Sequence, residues 1–80
     1  MAKEPISEAA ATFGARVRAR RLELGKSQEQ LAEDSELHWS YLGQVERGMR
    51  NVSLHNILKI AEVLEVDPGQ LMRGLRAPSE

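Results

Sequence analysis

The sequence has no cysteine, so it forms no disulfide and no thiolate metal site, and it suits a reducing compartment such as the cytoplasm. It has no apolar run long enough to span a bilayer, so no membrane partner is expected. Its opening residues, MAKEPISEAAATF, carry two glutamates and no apolar stretch, and do not read as a secretory signal. There is no Gly-rich phosphate loop and no nucleophile motif. His38 and His55 fall in different helical segments without a carboxylate at ligand spacing, so no metal is expected. Glu33 and Asp34 are neighbours on a polar face with nothing around them suited to acid–base work. These absences argue against an enzyme and against a cofactor. An excess of basic charge is missing too: the formal net charge is −1.

What is present fits one small domain. Eighty residues suffice for one compact core and no second one, and 41% hydrophobic residues can fill it without staples. The expected domain is the whole of 1–80, with its core at about 8–75 and loose ends. Charge is unevenly spread. Residues 1–26 hold six Lys/Arg against three acids, residues 27–51 two against five, and residues 52–80 three against four. Any binding of DNA must therefore come from placed donors, not from a strongly basic body.

The pattern predicts five short helices and no strand. Ser7 starts the first, whose Ala10, Phe13, Val17 and Leu24 recur at helical spacing, and Gly25 ends it in a left-handed cap. Ser27, with Gln30 three residues on, forms a capping box for a second helix running to about Ser35. A third helix runs from Trp39 to Gly48. Ser53 caps a fourth, in which Leu54, Ile57, Leu58, Ala61 and Leu64 trace an apolar stripe. Asp67 and Pro68 open a short fifth helix.

Neither the second nor the third helix can bury its apolar face alone. Leu31, Ala32, Leu37, Leu42 and Val45 would lock them together against the first and fourth helices. The outer face of the third helix is then left free, rigidly supported and of a size that enters a major groove. The apolar residues Val66, Leu71, Met72 and Leu75 near the last helix form a surface for a second copy of the chain or for another protein, with the alternative that Leu71, Met72 and Leu75 face inward. A homodimer is favoured, because two linked half-sites multiply the affinity of a small domain.

The segments Ser27-Gln28-Glu29-Gln30-Leu31-Ala32, Ser40-Tyr41-Leu42, Val45-Glu46-Arg47-Gly48 and Arg50-Asn51-Val52-Ser53-Leu54 resemble the XRE family, the lambda-repressor-like helix-turn-helix proteins. The last segment is also similar to controller proteins of restriction–modification systems. The resemblance covers about residues 11–72 and implies an all-α, five-helix fold with the helix-turn-helix at the second and third helices. It implies a sequence-specific transcriptional regulator that binds duplex DNA as a homodimer. Two half-sites would lie about 34–36 Å apart. The rival is an antitoxin or adaptor whose main role is to bind another protein, such as a toxin. A contact between RNA polymerase and acidic side chains of the second or third helix also stays open. With no sensing domain, control is expected to come from concentration and dimerisation.

Position by position, the resemblance places Trp39, Ser40, Gly43 and Gln44 at base edges, with Gln44 suited to a bidentate contact with adenine. Trp39 has a plainer alternative as an aromatic that steadies its helix, and Gln44 as a solvated amide. Gln28, His38, Arg47, Arg50 and Asn51 fall where phosphates are met, each with the alternative of an ordinary surface residue or cap. Arg21 and Glu46 are expected to form a partly buried ion pair that orients the recognition helix. Three residues depart from the family pattern: Lys26 where an apolar residue is common, Glu36 where glycine is common, and His38 where a small cap is usual.

Overall fold

The computed structural model describes residues 3–79 and contains five helices: α1 (Glu8–Glu23), α2 (Gln28–Asp34), α3 (Trp39–Glu46), α4 (Leu54–Val63) and α5 (Pro68–Met72). No strand occurs among the described residues. The looseness expected of the extreme ends falls in part on residues 1, 2 and 80, which lie outside them.

Each helix starts at a side chain that accepts a hydrogen bond from an otherwise unpartnered backbone N–H. Ser7, Ser27, Ser53 and Asp67 do this for α1, α2, α4 and α5. The expected capping box is present: Ser27 Oγ accepts from Gln30 N at 3.0 Å, and Ser27 N donates to Gln30 Oε1 at 2.8 Å. Gly25 takes φ +69° just beyond α1, as the sequence predicts. The third helix is shorter than expected. It stops at Glu46, with Arg47 as its cap and Gly48 beyond it at φ +77°.

The core forms where the apolar faces of all five helices meet. Val17, Leu31, Leu42, Ile60 and Leu64 have no exposed surface, and Phe13, Val45 and Leu71 are nearly as deep. Leu37 packs against this core from the α2–α3 turn, as its position there suggested. The stripe of α4 is rotated from the expected one. Ile60, Ala61 and Leu64 are buried, whereas Leu54 and Leu58 are 67% and 43% exposed. The helix packs against α2 and α5, and the outer edge of its stripe remains uncovered.

Two arginines of α1 tie down the ends of the last two helices. Arg20 Nε donates to the Leu64 carbonyl at 2.9 Å, and Arg16 Nη1 donates to the carbonyls of Leu71 and Arg73 at 3.2 and 2.7 Å. These carbonyls have no partner within their own helices, and a cation is favoured at the negative end of a helix. The segment that leads into α1 is fastened to the one that leaves α3: Ile6 N donates to the Gly48 carbonyl at 2.9 Å. Gly14 lets the two helices cross closely. A Cβ placed there would lie 2.8 Å from the Glu46 carbonyl oxygen and closer still to that of Val45.

The α2–α3 turn carries strain that the departure at residue 36 foreshadowed. Glu36 has φ +59°, a left-handed conformation that costs an ordinary residue roughly 1–2 kcal/mol. Its side chain is exposed. Glu36→Gly is therefore expected to raise the unfolding free energy by about 1 kcal/mol, measured in urea, after glycine's greater unfolded-state entropy is deducted. Unchanged or lower stability would show that the turn holds Glu36 without strain.

Candidate DNA interface

The inner face of α3 is fixed by Leu42 and Val45, which are fully buried, and by a polar anchor at its last turn. Arg21 Nε donates to Glu46 Oε2 at 2.7 Å and Nη2 donates to Oε1 at 3.0 Å, a two-pronged ion pair. Arg21 Nη1 donates to the Lys26 carbonyl at 2.8 Å, and Gln28 Nε2 donates to Glu46 Oε1 at 3.0 Å. The hydrogen bond that the guanidinium donates to Glu46 raises its pKa above its ordinary value, against the opposing effect of burial. The Arg21–Glu46 pair thus joins α1, the loop before α2, the first turn of α2 and the recognition helix. The pair anticipated from sequence is present; the part played by Gln28 was not anticipated.

The outer face of α3 is presented to solvent. Trp39 is 60% exposed, and its ring lies near-parallel to that of His38, with centroids 6.0 Å apart. Ser40 is exposed and Gln44 half-buried. Trp39 and Ser40 are neighbours on the open side, and Gln44 lies about one turn beyond Ser40. Gly43 lies one turn after Trp39 on that side, beneath the side chains of Gln28 and Arg47. It is buried, and a Cβ there would meet Arg47 Nη1 at 3.4 Å and Gln28 Oε1 at 3.5 Å. A methyl there would make only ordinary contacts with those two side chains.

The residues assigned to phosphates are placed unequally. Arg47, Arg50, Asn51 and His38 are exposed around the ends of α3. Gln28 is half-buried, with its amide nitrogen on Glu46. His38 is also a working cap: its Nδ1 accepts from Ser40 N at 3.2 Å, and Ser40 Oγ lies 2.8 Å from the same atom. Arg50 Nε donates to Gln44 Oε1 at 2.6 Å, and its guanidinium carbon sits 5.6 Å from the centre of the Tyr41 ring. Tyr41 Oη accepts from Asn56 Nδ2 of α4 at 3.1 Å. Tyr41 and Asn56 were missed from sequence. Tyr41 lies three residues before Gln44 on one helix, a spacing that places them side by side, and this was the available signal.

Of the four residues assigned to a dimer contact, Leu71 faces inward and is 3% exposed. It is corrected to a core residue, because α5 packs that side chain beneath α1 and α4 and leaves nothing for a partner. Val66 and Leu75 are half-buried against the core, and Met72 is 40% exposed.

Two short helices joined by a tight turn, the second braced from behind and open in front, define a helix-turn-helix protein. Residues 17–71 match the helix-turn-helix family, and the chain belongs to it: it is a DNA-binding regulator of transcription. It is 49% identical over 61 residues to the control protein C.BamHI of Bacillus amyloliquefaciens, spanning 75% of each chain. It is similar in structure to the restriction–modification controller protein C.AhdI from Aeromonas hydrophila. There the TM-score is 0.76 and the identity 53%, over 78% of this chain and 94% of that one. It is also similar to the biofilm master regulator SinR, solved in complex with DNA. That match has a TM-score of 0.71 and 35% identity, over 74% of this chain and 95% of that one. No helix among the described residues is long and apolar enough to cross a membrane.

Proposed function

We propose that the chain acts in the cytoplasm as a controller-type transcriptional regulator, binding a pseudo-palindromic operator as a homodimer with one α3 in the major groove of each half-site. The observation that carries this reading is the recognition helix itself: its back is locked by Glu46 and two core residues while Trp39, Ser40 and Gln44 stand open in front. Arg47, Asn51 and His38 flank it where a duplex would bring its phosphates, and such contacts set register without reading sequence. The similarity to control proteins supports the controller role.

The dimer contact is revised in keeping with burial. Leu54 and Leu58 of α4 and Met72 of α5 are the exposed large apolar side chains of the second half of the chain, and they replace Leu71 as its centre. Val66 and Leu75 keep a part at its edge. The test is selection of bound sites from a random duplex library at stated salt. The wild type is expected to recover paired half-sites about 34–36 Å apart. The variant Leu54→Asp/Leu58→Asp is expected to sediment as a monomer and to recover single half-sites. No preferred sequence from the folded wild type would overturn the regulator and favour a protein-binding adaptor. Paired sites from the double variant would overturn the α4 contact alone.

A further inference from the structure

We propose that Arg50 sets the base preference of Gln44, so that the two residues together present hydrogen-bond donors to guanine. The inference rests on the DNA-binding reading above and goes beyond it by naming the base and the residue that selects it. Arg50 lies outside α3, and from sequence it counts as a phosphate contact.

An arginine side chain has only donors, so the Gln44 atom 2.6 Å from Arg50 Nε must be the carbonyl oxygen. This settles which way the Gln44 amide is turned. An unrestrained glutamine offers a base both an acceptor and a donor, which matches adenine N6 and N7. With its oxygen held by a cation, Gln44 offers its NH₂ group instead. The guanidinium contributes further N–H groups beside it. Guanine is the base whose major-groove edge carries two acceptors, N7 and O6. The adenine amino group would meet a donor and a positive charge and is disfavoured.

The geometry is held on a second side. The guanidinium lies over the Tyr41 ring, and Tyr41 is fastened to α4 through Asn56. Planarity lets the guanidinium stack and donate from its edge at the same time; a lysine ammonium has the charge without that fork.

The experiment compares selected sites for the wild type, Gln44→Ala, Arg50→Lys and Arg50→Lys/Gln44→Ala, with binding constants at several salt concentrations. The position whose preference collapses in Gln44→Ala is the one Gln44 reads. It is expected to be guanine in the wild type. Arg50→Lys keeps the charge, so the salt dependence is expected to stay the same while guanine preference at that position falls about five-fold or more. In the Gln44→Ala background the lysine substitution should change guanine preference less than it does in the wild type, because the two residues act together on one base. Adenine at the Gln44 position, no position that depends on Gln44, or an Arg50→Lys variant with unaltered preference would each overturn the inference while leaving the regulator reading intact. A wild type without any preferred site would overturn the regulator reading itself.

Discussion

Glu46→Ala is expected to lower the unfolding free energy by ~3–5 kcal/mol, the usual cost of stranding one member of a buried ion pair. The Arg21 side chain is only 9% exposed, and without Glu46 its charge would face a protein interior. Gln28 would lose its partner too. The intact pair is not for that reason a large net source of stability, because both charges had to leave water. Arg21→Met/Glu46→Leu should therefore lose less than Glu46→Ala. It should still bind DNA more weakly than the wild type, since the last turn of α3 is no longer tied to α1 and α2. The raised pKa of Arg21 means that its contribution is complete below the unfolded guanidinium's pKa and is lost only above the folded one. Stability due to Arg21 should accordingly be flat across neutral pH. Urea unfolding checks all of this, and a Glu46→Ala variant within 1 kcal/mol of wild type would show that Arg21 finds water instead.

Gly14→Ala is expected to be comparably damaging, although alanine is the better helix former by about 1 kcal/mol. The added methyl would press on the carbonyl oxygens of Val45 and Glu46. These are backbone atoms of α3 and cannot swing aside, so the two helices must separate. Ordinary overpacking costs ~1–3 kcal/mol, and a clash with backbone atoms belongs at or above the top of that range. Separation would also stretch the Arg21–Glu46 contact at the same crossing, so DNA affinity should fall even where the protein remains folded. Thermal unfolding and operator binding measured together test this. A variant as stable as wild type would mean that α1 can slide without disturbing α3.

The sequence disclosed the helix starts well because each is written in local chemistry. Ser7, Ser27, Ser53 and Asp67 stand before their helices, and Gly25 stands after one. The two-helix unit and the Arg21–Glu46 pair were legible through the family resemblance. What escaped depended on rotation and on partners distant in the chain. A period of 3.6 shows that α4 has an apolar stripe but not which edge of it the neighbours cover, so Leu54 and Leu58 were placed inside and Ile60 was passed over. Leu71 was given to a partner for the same reason: a short apolar helix looks alike whether its cover is the same chain or another. Gln44, Arg50, Tyr41 and Asn56 come from α3, a loop and α4, and no short motif joins them.

The arginines of α1 have a consequence for how such a regulator searches a genome. Arg16, Arg20 and Arg21 account for half of the basic residues in the first 26 positions, and all three are hydrogen-bonded to groups of the protein itself. With a net charge of −1, the long-range attraction to random duplex is weak. Most copies would then remain in free solution instead of being sequestered along the chromosome. Occupancy of the operator would follow the number of molecules made almost directly, and a regulator governed by its own abundance would respond while copies are still few.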